Sequence, residues 1–384
     1  MERYGLWLAA IAIAALTGCS KPAETPAPAA VDATPPAAAA APVPQDSETP
    51  TVTADPDDPK AIEALTATAT ELKKDGDGFV TEVSFRGAPI DDSALEPLAG
   101  LRRVRSVLLN DTAVTDPGMA ALAKVATLEN VDLRGCATSN AGLASLAALK
   151  NLKALRLSDP DGKSSVDDQG MTHLAGSTNL KVLALDFLWI SVDGLKQLAG
   201  LKNLEELYLA KTLVDDEALA VLVQFPNLKK LRISQSQVSG AGLAELKNLP
   251  KLEDLDVSEC SLLGDADLAH LAGMKQLKKL NLWRDAISDE GAAHLAGLTD
   301  LVWLNVDNTR ITNAALEHFR GMTKLEFLHL GSTGVSDAGL VHLETLKALK
   351  DLKVTRTAVT EQGVEQLKKK LPDTKIQLAY IEGE

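Results

Sequence analysis

The chain is poor in aromatic residues, poor in cysteine and short of positive charge. Phe, Trp and Tyr make up 3% of its 384 residues although 45% are hydrophobic, so the core must be built from aliphatic side chains. That suits one long regular core better than several compact domains. Of three cysteines, Cys19 falls in a leader segment, which leaves Cys136 and Cys260 in the body. Two are too few for a disulfide scaffold or a four-thiolate zinc site. Lys plus Arg total 39 against 53 Asp plus Glu, a net charge of -14, which argues against work on phosphate backbones, so nucleic acid is not an expected partner. No Gly-rich phosphate loop precedes a helix, no G-x-S-x-G occurs, and no carboxylate pair stands apart from its surroundings. Neither a cofactor nor catalysis is expected.

What is present begins at the N-terminus. A short polar stretch with Arg3 precedes an apolar run from Leu6 to Leu16, about half the ~20 residues that a membrane-spanning helix needs. Residues 1–18 therefore read as a secretory signal. The run ends Leu16-Thr17-Gly18-Cys19, which resembles the lipobox of bacterial lipoproteins. That resemblance implies acylation of Cys19 and, with Ser20 following, sorting to the outer membrane. Residues 19–59 then hold a tether. Between Pro22 and Pro59 lie ten of the 17 prolines, a run Ala37 to Ala41 and no glycine, a composition with almost nothing to bury. Partly extended at ~3.1 Å per residue, it would reach on the order of 100 Å at most.

Beyond a cap at residues 60–79, where about one helix (Lys60 to Lys74) is expected, the chain repeats up to residue 371. Units with an L-x-x-L-x-L core start at Val80, Val104, Leu128, Leu152, Leu180, Leu204, Leu228, Leu252, Leu277, Leu301, Leu325 and Leu349, spaced by 24 except for 28 after Leu152 and 25 after Leu252. In each, positions four and six alternate with polar residues, the period of a strand with one buried face. The second half changes period. In the unit from Leu277, Ser288-Asp289 and Gly291 precede Ala292, Leu295 and Leu298, an N-cap signature followed by the buried stripe of a short helix. No strand-plus-helix unit can bury its apolar face alone, so the units should stack into an α/β solenoid with a parallel sheet. Twelve strands ~4.8 Å apart would give a sheet on the order of 55 to 60 Å long.

These units resemble the leucine-rich repeat superfamily, in its short 24-residue, ribonuclease-inhibitor-like or GALA-type form, with T-x-[VI]-T-D-x-G-L as in Thr112-Ala113-Val114-Thr115-Asp116-Pro117-Gly118-Met119. The stretches Ala61 to Val83 and Gln366 to Leu378 are similar to the ends of bacterial leucine-rich repeat lipoproteins. The resemblance implies a horseshoe of about twelve repeats with the sheet concave, the helices convex, and caps at both ends, the last, residues 372–384, holding a terminal strand at Ile376 and Leu378.

Several residues invite chemistry. Cys136 and Cys260 both occupy position nine, five repeats and roughly 25 Å apart by strand spacing, too far for a disulfide. His173, His270, His294, His318 and His342 share position eighteen, but helices of adjacent repeats pack 8–10 Å apart, too far for one metal ion, so no metal site is expected. Asp75-Gly76-Asp77-Gly78 lacks the later glycine and glutamate of a calcium loop. The four-residue excess in the fourth unit, at Asp159 to Ser165, is either a contact-bearing loop or a tolerated insertion. Nearby, Phe187, Leu188, Trp189 and Ile190 make a short apolar rim, with Ile190 pointing inward.

The concave face, lined by positions three, five and seven, carries the remaining signal. Glu206, Lys230, Asp254 and Lys279 alternate in one row, and Asp132 beside Arg156 and Arg232 beside Asp256 extend the pattern. Such exposed pairs contribute about 0 to 1 kcal/mol each. Repeats nine to eleven differ. Trp283, Trp303, Phe327 and His329 stand with Asn281, Asn305 and Asp307, which makes them the candidate ligand-binding patch unless the rings only cover aliphatic stems. Trp303 and Phe327 should touch. The leading expectation is a non-enzymatic, lipid-anchored, monomeric scaffold of the cell envelope that binds a protein or glycan. The alternatives are a ubiquitin-ligase adaptor resembling F-box leucine-rich repeat proteins, disfavoured by the short N-terminal segment and the export signal, and an enzyme with an unrecognised site in the groove.

Overall fold

A computed structural model describes residues 55–379. Cys19, the leader, most of the tether and residues 380–384 lie outside the described residues. Fourteen strands, β1 (Glu71–Lys74) to β14 (Lys375–Gln377), form one sheet in strict chain order. From β2 (Val80–Ser84) onward all neighbours are parallel and in identical register, so that Leu255, Leu280, Leu304, Leu328 and Leu352 lie side by side. Each of these five is fully buried. A buried leucine contributes about 1.5–3 kcal/mol, and the register puts every position-four and position-six side chain on the inner face. One continuous core, aliphatic apart from Phe85, Phe225, Phe319 and the sulfur-bearing side chains, runs from Leu65 to Leu371.

The N-terminal cap departs from the expected single helix. Helix α1 spans Pro59–Thr68, capped by the Asp58 carboxylate that accepts from Lys60 N at 2.9 Å and opened by proline at its first turn. Residues 71–74 are instead β1, antiparallel to β2 with Leu72 opposite Val83. Without β1 the first parallel strand would present an unpaired edge, and a hairpin closes it at low cost in chain length. The Asp75-Gly76-Asp77-Gly78 sequence forms its turn: the Asp75 carboxylate accepts from Asp77 N and Phe79 N at 3.0 Å each, and Arg103 Nη1 binds Asp75 at 2.9 Å and Asp77 at 2.7 Å. Asp57, buried, ties the cap to the first repeat by accepting from Val80 N and Arg102 N, both at 2.7 Å. At the other end β14 pairs with β13 (Asp351–Lys353), Ile376 lies opposite Leu352, and Leu378 follows the strand.

Two repeated devices hold the turns. Position eight sits in the left-handed region in almost every unit, with φ of 63° at Asp111, 67° at Phe187, 54° at Lys211, 58° at Arg284 and 57° at Asn308, and with Gly87 and Gly135 at the same place. An L-residue there costs roughly 1–2 kcal/mol. The cost is offset because the position-eight N–H continues the ladder: Lys211 N donates to Ser234 O at 2.8 Å and Arg284 N to Asp307 O at 3.0 Å.

On the convex side the Thr/Ser-Asp-x-Gly signature works between repeats. Ser239 caps its own helix, accepting from Ala241 N at 3.2 Å. The aspartate of the preceding unit, Asp216, reaches forward to accept from Ser239 N at 2.8 Å, Ser239 Oγ at 2.6 Å and Gly242 N at 3.0 Å. A Cβ on Gly242 would lie 2.5 Å from Asp216 Oδ1, so the glycine makes room for its neighbour's carboxylate. Asp92, Asp116, Asp168, Asp265, Asp289 and Asp337 bind the next unit's Ser or Thr in the same way. Asn140 and Asn313 make the same forward bond with an amide oxygen, to Asp167 N at 3.2 Å and Ser336 N at 2.8 Å, while Val192 and Gly240 occupy the equivalent place in their units without an acceptor side chain.

Candidate functional site

The concave sheet brings Trp303, Phe327 and His329 into contact, with Trp283 in none of their ring contacts. Trp303 on β11 (Trp303–Asn305) and Phe327 on β12 (Phe327–His329) pair in register, and their rings stack with centroids 5.1 Å apart and planes 5° from parallel. His329 meets the Phe327 ring edge-on at 6.3 Å and 73°, with Nε2 4.0 Å from Asp307 Oδ1. Burial holds the His329 imidazole below its ordinary value, and the Lys353 charge acts in the same sense, while Asp307 and Asp351 oppose them. Asn305 and Asn281 spend their side-chain oxygens on Asp307 N, at 3.0 Å, and Trp283 N, at 3.3 Å. Trp283 lies under the Arg284 guanidinium at 5.3 Å, away from the stacked pair. All seven side chains are half-buried.

The row of ion pairs forms in part. Lys230 meets Asp254 at 3.2 Å and Arg232 meets Asp256 at 3.4 Å. Asp132, almost fully buried, does not pair with Arg156: it takes a two-pronged bond from Arg134, Nε at 2.9 Å and Nη2 at 2.6 Å. Arg134 stands two residues along the same strand face, close enough for the planar fork to match the carboxylate. Arg156 donates instead to Asn130 Oδ1 at 2.7 Å, and Glu206 accepts from the Tyr208 hydroxyl at 2.6 Å rather than pairing with a lysine.

Cys136 and Cys260 are both free and fully buried. Threonines at position nine bond back within their own unit, as Thr112 Oγ1 to Leu109 O at 2.7 Å, whereas the longer thiols reach the preceding unit, Cys136 Sγ to Leu109 O at 3.1 Å and Cys260 Sγ to Ile233 O at 3.3 Å. Burial raises both thiols, Cys260 to about 11. Asp285 occupies the same position in the ninth unit and is 3% exposed, a substitution that goes unmarked in the linear pattern. The position-eighteen histidines lie on the convex side, His173 and His270 exposed and the other three half-buried, and no metal-ligating cluster occurs among the described residues.

The fourth-unit excess folds back onto the rim. Asp159, 2% exposed, holds Ser164 N through Oδ2, Ser165 N donates to Thr138 O at 2.9 Å and Lys163 Nζ reaches Gly135 O at 3.2 Å. Its exposed tip brings Pro160 to the mouth of a concave cleft of about 450 Å³ that also touches Arg134, Arg156, Ala184, Tyr208 and Arg232. Ile190 and Leu188 point inward, while Trp189 is 67% exposed and Leu213 one repeat on is 51% exposed. No helix among the described residues is long and apolar enough to cross a membrane.

The fold, though not these side chains, is shared with solved structures. An internalin from Listeria monocytogenes superposes with a TM-score of 0.59 over 85% of this chain and 96% of its own, at 18% identity. The fold is a leucine-rich repeat solenoid. An internalin C2 of the same organism (TM-score 0.44, 21% identity, 54% of this chain and 84% of that one) and a leucine-rich repeat protein of Leptospira interrogans (0.43, 21%, 74% and 62%) are also similar. No family model and no curated protein sequence matches the solenoid's sequence.

Proposed function

We propose that the protein is a non-enzymatic binding scaffold, lipid-anchored at Cys19 in the cell envelope, whose concave face recognises a polypeptide. The observation that carries this reading is the stacked Trp303–Phe327 pair at 5.1 Å. Two rings half-open to solvent on a largely polar stretch of the sheet offer apolar area, and His329, Asp307 and Asn305 supply polar groups at its edge. Truncating an aromatic anchor of this kind typically costs 2 kcal/mol or more in binding. Anchoring rests on Leu16-Thr17-Gly18-Cys19 behind a short apolar run.

Crosslinking in intact cells, followed by affinity measurement on the captured partner, tests the reading. Trp303→Ala should weaken binding about 30-fold by the same 2 kcal/mol, and Lys230→Ala, on the ion-pair row, by no more than a few-fold. Equal small losses with intact circular dichroism would remove the patch, and capture of glycan alone would remove the polypeptide. Cys19→Ala should move the protein out of the membrane fraction, and retention in the pellet would refute the anchor.

A further inference from the structure

The cleft beneath the fourth-unit insertion has a construction unlike the rest of the concave sheet. Along position five the in-register neighbours run Arg156, Ala184, Tyr208, Arg232 on four successive strands. Ala184 is the smallest side chain in that run and is 5% exposed, so the row drops to a floor between two arginines. Ser158 and Asp186 continue the floor at position seven, joined by a hydrogen bond from Ser158 Oγ to Asp186 Oδ2 at 3.2 Å. Pro160 and Phe187 stand at the mouth.

Three arginines, Arg134, Arg156 and Arg232, face two carboxylates, Asp111 and Asp186, in the lining of the cleft. Arg134 is spent on Asp132. Arg232 is shared loosely between Asp256 at 3.4 Å and Asp186 at 3.7 Å. Arg156 donates from Nη1 to a neutral amide oxygen and makes no ion pair among the described residues. A guanidinium carries five N–H donors, so most of those on Arg156 are left for a ligand. Asp186, at the floor, opposes an incoming carboxylate only in part, because burial raises its carboxyl and so disfavours its charge, and because Arg232 lies 3.7 Å from it.

The cleft is also continuous with the aromatic patch. Tyr208 and Arg232 line a second opening of about 320 Å³ whose far side is Asn281 and Trp303. From Arg156 on β5 (Ala154–Arg156) to Trp303 on β11 is six strand spacings, about 29 Å at ~4.8 Å each, the span of roughly nine residues of extended polypeptide.

We propose that this cleft captures the carboxylate of an acidic peptide, held over Ala184 between Arg156 and Arg232, with the rest of the peptide extended across the sheet toward Trp303. The proposal takes from the previous section that a polypeptide occupies the concave face, and adds its charge, its direction and a second anchor.

Fluorescence anisotropy on the full chain tests it, with a dye-labelled nonapeptide carrying two adjacent glutamates at one end of a Ser-Gly remainder, the same peptide with glutamines, and inorganic phosphate alone. The glutamate peptide should bind saturably, the glutamine peptide about tenfold or more weaker, and Arg156→Ala should lose about tenfold for the glutamate peptide only. Binding should weaken as salt rises, since the cleft is open to solvent. Equal affinity for both peptides, no saturable binding, phosphate binding without peptide binding, or an Arg156→Ala effect within twofold would each overturn the proposal. Running Trp303→Ala in parallel separates the two anchors: a loss there with none at Arg156→Ala removes the cleft and leaves the aromatic patch standing.

Discussion

Asp285 is a buried acid in a place built for a hydroxyl, and replacing it should stabilise the protein in a pH-dependent way. In five other units position nine holds a threonine, Thr112, Thr212, Thr309, Thr333 or Thr357, each donating to a carbonyl of its own unit. Asp285 Oδ1 accepts from Cys260 N at 2.9 Å, and its Oδ2 is buried without a hydrogen-bond partner. Burial, reinforced by the negative charges of Asp256 and Glu259 against the one backbone donor, raises its carboxyl from 3.8 to about 8. Folding therefore takes up a proton between those values. The stability that depends on the proton is full below about pH 4 and is lost as pH rises towards 8. The slope is about 1.4 kcal/mol per pH unit, so from pH 5 to 8 the loss reaches a ceiling of about 4 kcal/mol. Local opening of the turn, which would hydrate the carboxylate without unfolding the solenoid, lowers that ceiling, and we expect about 2 kcal/mol or more. Asp285→Asn keeps the acceptor for Cys260 N and is neutral at every pH. Urea unfolding of parent and variant at pH 5 and pH 9 gives the difference of differences, in which the other titrating groups cancel. The variant should match or approach the parent at pH 5 and exceed it at pH 9. Parallel profiles at the two pH values would refute the argument.

Gly242→Ala places a methyl 2.5 Å from an Asp216 oxygen that is committed to two hydrogen bonds; despite the better helix propensity of alanine it should lower stability by about 1–3 kcal/mol in urea, while Gly176→Ala, which meets nothing within 4 Å, should not. Cys136 and Cys260 should resist alkylation until the protein is unfolded, then react together with no loss of mass to a disulfide; rapid labelling of the native protein would contradict their burial. His329 should titrate below the usual 6.5 of imidazole in an NMR titration. Its neutral form is favoured by folding, so the stability it contributes is present above pH ~6.5 and falls as the pH drops through that value; a midpoint at or above 6.5 would refute this.

The linear pattern determined the repeat count, the strand register and the contact of Trp303 with Phe327, because all three follow from one period. Once position four of every unit must be buried, position three of one strand has no freedom but to lie beside position three of the next. It also placed Cys136 and Cys260 too far apart to join. It misread β1 as helix, since Glu71 to Lys74 has only Leu72 to mark a buried face and its reason for being a strand lies on β2.

What only the tertiary structure decided are the contacts in which a partner a full repeat away competes with a local one and the choice depends on fractions of a side-chain length. Asp132 prefers Arg134 to Arg156 because a fork two residues along the same strand fits it better than one on the neighbouring strand. The aspartate of the Thr/Ser-Asp-x-Gly signature reads locally as part of its own helix cap, yet its bonds run to the next unit, 23 to 26 residues on. The cleft over Ala184 needs a small residue, two arginines on different strands and a folded insertion at once. No window of sequence contains that combination, and only stacking the strands at ~4.8 Å brings it together.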